Sequence, residues 1–178
     1  DHTERQRADR IVLAGDLVTG APDAAACWRR AIGLGCPVLR GNSERYVAHF
    51  DGPEAPPEWR TERFGPVRWA VDQLEAEECR AMGELPLVWR SEEAPNLLVA
   101  PASARSDSDS IYVHTPDDQI GPMFPGVTER CLVRGHNHIG TIRFWEDRLI
   151  VTGGAVGLPL DGHTTAQYLL LEERRDGW

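Results

Sequence analysis

Four side chains, Asp16, Asn42, His136 and His138, each stand just after a short apolar run, and each carries an atom that can bind a cation. A carboxylate oxygen, an amide oxygen and two imidazole nitrogens form a mixed donor set. Such a set suits borderline divalent ions such as Mn, Fe(II), Co or Zn, and not calcium or a thiolate-bound structural zinc. In Gly135-His136-Asn137-His138 one intervening residue lets both rings lean toward a common centre once the backbone leaves extended geometry, which Gly135 permits. Taken singly, Gly15-Asp16 and Gly41-Asn42 are ordinary turn dipeptides, and a His-x-His loop is as often a hydrogen-bonded surface loop. The order and spacing of the three motifs carry the chemical reading.

These side chains require elements that bring them to one edge. Ile11 to Ala14 reads as a buried strand that stops at Gly15-Asp16, followed by a helix over Ala21 to Leu34 with Pro22 and Asp23 as start signals. Pro37 to Arg40 is a second short strand ending in Gly41-Asn42-Ser43-Glu44. Parallel strands joined by crossover helices deliver such ends to the same edge of a sheet, where open α/β sheets bind ligands. Farther on, Asp51 to Trp59 is a proline-broken loop expected near the site mouth, and Val67 to Met82 has helical spacing. Asn96 to Val99 is another buried strand, and Ala100 to Ser110 a small, polar segment that reads equally as substrate-facing loop or as disorder. Cys131 to Arg134 leads into the histidine loop. Thr141 to Trp145 and Arg148 to Thr152 form a hairpin about Glu146-Asp147, Gly153 to Gly157 is a turn, and Ala166 to Leu171 is expected as a last strand.

Composition narrows the function classes. The 178 residues, 41% hydrophobic and 26% charged, suffice for one domain spanning 1–178 with its own core. A net charge of -9 disfavours nucleic-acid scaffolding, which draws its affinity from basic patches. The four cysteines, Cys27, Cys36, Cys79 and Cys131, form no paired motif and read as reduced, mostly buried thiols of a cytoplasmic protein. No run is long and apolar enough for a membrane span. All 19 basic residues are arginine, a bias that reflects coding composition and carries no functional weight here.

The motif order resembles the calcineurin-like metallophosphoesterase superfamily, in its small bacterial and archaeal phosphodiesterase-type branch. The segments that carry the likeness are LAGDLVTG from Leu13, Gly41-Asn42, RGHNH from Arg134 and GGAVGLPLDG from Gly153. The resemblance implies an α/β (α+β) fold, a four-layer αββα sandwich of two mixed sheets flanked by helices, with the final hairpin in the second sheet. It implies metal-dependent hydrolysis of a phosphodiester or small phosphomonoester, with Mn, Fe, Zn, Co or Ni as cofactor. Asp16 would bridge two ions, Asn42 would bind one, and His136 and His138 would each bind one. Arg45 is a candidate for the substrate phosphate, against the plainer reading of a solvated arginine at a helix start.

Three departures from that pattern set expectations of their own. Nothing in Asp1 to Arg10 matches the Asp-x-His strand with which the family opens. Those residues look like the end of the helix that follows it, so the strand is expected ahead of Asp1. Ser43 stands where many members place the histidine that protonates the leaving group, and Glu44 replaces the usual aspartate. After the Asn96 to Val99 strand, Ala100-Pro101 replaces a ligating histidine, and His114 and His163 are the distant substitutes. With four ligands left, one metal or none is an alternative to two. The competing reading is a catalytically impaired member that uses the fold as a binding or regulatory module.

Overall fold

The computed structural model describes residues 6, 8–175 and 178, and is α/β. Five strands form one mixed sheet: β1 (Trp89–Arg90), β2 (Leu97–Ala100), β3 (Cys131–Arg134), β4 (Thr141–Trp145) and β5 (Arg148–Thr152), in the order β1-β2-β3-β5-β4. β2, β3 and β5 run parallel, with Ala100 opposite Arg134 and Arg134 opposite Thr152, so their C-terminal ends are level. β1 and β4 close the two edges antiparallel. The β4–β5 hairpin turns over Glu146-Asp147, with Glu146 at φ 53°, as a two-residue connection requires.

The central strands are apolar on both faces because both faces are covered. Leu98, Leu132 and Ile150 pack on Ile111, Ile120, Phe124, Val127 and Trp145. On the opposite face Leu97, Val99 and Cys131 meet Leu39 and Ala94, with Val12 and Ala14 packed against them. A third cluster, built from Val18, Trp28, Val47, Phe50, Trp59, Val67 and Met82, fills the helical half. Its helices are α1 (Ala24–Gly33), α2 (Asn42–His49), α3 (Gly65–Val71) and α4 (Ala76–Glu84), with the short α5 (Asp117–Ile120) on the sheet side. The Asp23 side chain accepts from the Ala26 amide and starts α1.

Several expectations are corrected. The Leu13 and Val38 segments are joined by a single parallel bridge, with Leu13 N–H donating to Pro37 O and Leu39 N–H to Leu13 O, both 2.9 Å. Isolated in this way, they do not form the second sheet of a sandwich among the described residues. The final hairpin instead continues the β2–β3 sheet, because β5 pairs with β3 in parallel. Residues 166–171 form no strand, despite their apolar alternation. The 67–82 pattern is two helices, since Asp72 closes α3 and Glu75 opens α4 with its N–H bonded to Glu78. The proline-rich 51–59 segment ends in a 3-10 turn, Pro57–Arg60, that buries Trp59 beside Phe50. The expected polar helix end at residues 1–10 falls mostly outside the described residues. Among the described residues no helix is long and apolar enough to cross a membrane.

Candidate metal centre

The three motifs meet. Gly135 N–H donates to Pro101 O at 3.0 Å, and a Cβ built on Gly135 would lie 3.6 Å from Ala14 O, so the ends of three strand segments touch at this residue. Asp16 reaches across 27 residues to accept the Ser43 amide on Oδ1 at 3.0 Å, near the start of α2. A carboxylate at a helix N-terminus satisfies a free amide and faces the positive end of the helix dipole. Its other oxygen lies 3.6 Å from His138 Nε2. His136 Nδ1–H donates to Asn42 Oδ1 at 2.9 Å, and His138 Nδ1–H donates to the Leu158 carbonyl at 2.8 Å. Both rings therefore turn Nε2 away from their anchors, the arrangement by which a partner on one ring nitrogen orients the other for a metal.

The backbone is bent to achieve this. Asp16, His136 and His138 lie at φ 57°, 68° and 56°. Left-handed conformations cost a non-glycine residue roughly 1–2 kcal/mol each and cluster at functional sites. Gly15, at φ 88°, sits so close to Gly41 that a Cβ would lie 2.5 Å from the Gly41 amide nitrogen. The Gly-Asp and Gly-Asn dipeptides are thus two faces of one contact.

Glu44 holds that contact together. It is fully buried, and its carboxylate accepts from the amides of Asp16 at 2.8 Å, Leu17 at 2.7 Å and Gly41 at 2.8 Å. Burial, with the Asp16 charge added to it, pushes the Glu44 carboxyl up to about 7 against the pull of those donors. In the sequence Glu44 stands out only as a replacement for aspartate, although its position three residues after Gly41, within reach of helix-start amides, signals this role. The imidazoles are set apart electrostatically. Burial lowers His136, partly offset by Asp16, whereas the contact with Asp16 raises His138 against its burial.

Arg134 has a role that its place in the sequence does not signal. It is 1% exposed at the end of β3, directly before the histidine loop. Its guanidinium donates to the carbonyls of Ala102, Asp109 and Ile111 and to Asn137 Oδ1. Burial lowers it to about 10, so it stays protonated at neutral pH. These bonds order the Ala100 to Ser110 segment, which is neither disordered nor freely exposed: Ala100, Ala102, Ser103 and Asp107 are buried. Arg45, read as a phosphate ligand, has its fork on Asp107, with Nε and Nη2 at 2.7 and 2.9 Å from the two carboxylate oxygens. His114 stacks on Tyr112 and His163 is exposed, with its amide bonded to Asp161. Ala100 and Pro101 present no ligand atom, and Ser43 is buried.

The donor set fits a divalent ion in chemistry and in ring orientation. Among the described residues, however, no group of three or more His, Cys, Asp and Glu side chains forms a ready cage. The site is two pairs, Asp16 with His138 and Asn42 with His136.

Solved structures share this architecture. A metallophosphoesterase from Sphaerobacter thermophilus superposes with a TM-score of 0.75 at 22% identity, covering 96% of this chain and 76% of its own. The chain shares the fold of that protein. A hypothetical protein from Pyrococcus horikoshii OT3 follows with a TM-score of 0.68, at 14% identity over 89% of this chain and 70% of its own. A protein described as a candidate diadenosine tetraphosphatase gives a TM-score of 0.53, at 17% identity over 86% and 73%. No family model and no curated protein matches the sequence.

Proposed function

We propose that the protein is a metal-dependent phosphoesterase acting on a phosphodiester or small phosphomonoester. The observation that supports this reading is the pairing of Asp16 with His138 and of Asn42 with His136 across three separate loops, with Asp16, His136 and His138 in left-handed backbone. A divalent ion held by these four would activate water and neutralise phosphate charge. The chain's own residues prepare the place. Glu44 and the Ser43 amide fix Asp16, Asn42 and the Leu158 carbonyl fix the ring planes, and burial keeps His136 neutral. Ser43 brings no imidazole for protonating a leaving group, so esters with acidic leaving groups are the favoured substrates. The test is hydrolysis of bis(p-nitrophenyl) phosphate with Mn, Co or Zn, abolished in Asp16→Ala and His136→Ala. No turnover with any divalent ion would overturn it.

A specific observation favours a second reading, a binding module on the same fold: Ala100 and Pro101 leave the end of β2 without a donor. That reading expects ligand binding without turnover and less than one ion per chain.

A further inference from the structure

We propose that Arg134 and Asn137 form a positioning pair that holds the two imidazoles in place from beneath. This deepens the phosphoesterase reading and rests on it for what the imidazoles do, whereas the pair itself rests on hydrogen bonds. Arg134 is buried with no carboxylate on its fork: the acceptors are the Ala102, Asp109 and Ile111 carbonyls at 2.6, 2.7 and 3.3 Å, Asn137 Oδ1 at 2.8 Å and Thr152 Oγ1 at 3.4 Å. The Asp109 carboxylate is engaged by Arg105 and Ser103. A buried guanidinium held by neutral oxygens, with the Asp109 charge only nearby, is costly, and an apolar side chain would fill the β3 position more cheaply, so packing alone does not account for it.

What the bonds connect accounts for it. Asn137 is the residue between His136 and His138, and its neighbours on both sides are left-handed. Its amide is turned back on the Gly135 carbonyl at 2.9 Å. A loop that alternates in this way is not self-supporting, and the grip on its middle side chain supplies the support. The orientation of that side chain is unambiguous. A guanidinium carries donors only, so the Asn137 atom facing Arg134 is the oxygen. The opposite Nδ2 is buried and has no partner among the described residues, where the single bond this side chain makes is the one from Arg134. Through it the histidine loop is bound to the 102–111 segment and to the end of β5.

The pair is tested on 15N-labelled protein by imidazole nitrogen correlations at pH 8.5, alongside thermal melts and Mn-dependent turnover. In the parent protein His136 and His138 should both show the Nδ1-protonated tautomer, with His49, His114 and His163 as internal references. Asn137→Ala should melt cooperatively yet scramble the tautomers of His136 and His138 and lower turnover on the order of 10- to 100-fold. Asn137→Asp keeps an acceptor for Arg134 and should restore the tautomers and most of the turnover. Unchanged tautomers in Asn137→Ala, or equal damage in Asn137→Asp, would overturn the pair. If the parent protein has no turnover, the phosphoesterase reading fails while the tautomers still decide this proposal.

Discussion

Gly41→Ala is the most direct test of how the first two motifs are joined. Gly41 has φ -77°, a value any residue adopts, so the substitution asks about space and not about backbone strain. A Cβ there would lie 2.7 Å from the Asp16 amide nitrogen and 2.8 Å from its Cγ, and would overlap the carboxylate oxygen that caps α2. Backbone must move by several tenths of an ångström, an overpacking cost of about 1–3 kcal/mol. The displaced carboxylate loosens the Ser43 bond, and charge-assisted bonds of that kind contribute about 1.5–3 kcal/mol. With the bond lost outright the expected loss is about 2.5–6 kcal/mol, read by urea denaturation monitored through tryptophan fluorescence. Gly33→Ala is the control, since nothing lies within 4 Å of its Cβ at the end of α1. It should be neutral or stabilise by up to about 1 kcal/mol. A Gly41→Ala protein as stable as the Gly33→Ala control would refute the shared-contact account of the two motifs.

Added Mn should raise the denaturation midpoint of the parent protein, by about 2.7 kcal/mol of stability at a free concentration 100 times Kd. Asp16→Ala and His138→Ala should abolish that gain, and a gain that survives both would place the ion elsewhere. Burial alone would raise the Asp107 carboxyl, but its bonds to Arg45 and Ser108 outweigh this and hold it below the usual carboxylate range. Its stabilisation is therefore complete above the unfolded carboxylate value of about 3.9 and is lost as pH falls through the lower folded value. Asp107→Asn should cost about 1.5–3 kcal/mol at pH 7 and little at pH 2; an equal loss at both would remove the ionic explanation. Burial pushes the Cys131 thiol up to about 11, so native protein treated with a thiol reagent should leave Cys131 unmodified in peptide mapping until denaturant is added.

The sequence discloses those features whose physics is local. The β4–β5 hairpin and β3 fall at the expected residues because alternation and a two-residue turn are properties of adjacent positions. The four candidate ligands stand out in the sequence because each follows a short apolar run, and the pairs they form are seen only in the fold. What could not be read depends on distant partners. Residues 166–171 have strand alternation, but a ladder needs a neighbouring edge, and Gln167 instead donates its amide to Ala155 O. The 100–110 segment looks like exposed loop because its residues are small and polar, and it is the forks of Arg134 and Arg45, each far away in the chain, that bring it inside. A charged residue at a strand end is expected in solvent, which hides Arg134 itself. Arg45 looks like a free cation until Asp107, 62 residues later, is placed against it.

The lone rung between Leu13 and Val38 has a consequence for durability. Among the described residues Asp16 and Asn42 hang from segments joined by two main-chain bonds, while the histidine loop is anchored in a five-stranded sheet. A partial opening that frees this rung breaks no ladder bond of the sheet, although it uncovers the face on which Leu39, Val12 and Ala14 pack. The amides of Leu13 and Leu39 should then exchange with deuterium well before those of Leu98 and Leu132. Mild denaturant would dissociate the constellation while most of the protein stayed folded, so that competence and global stability would be lost at different concentrations.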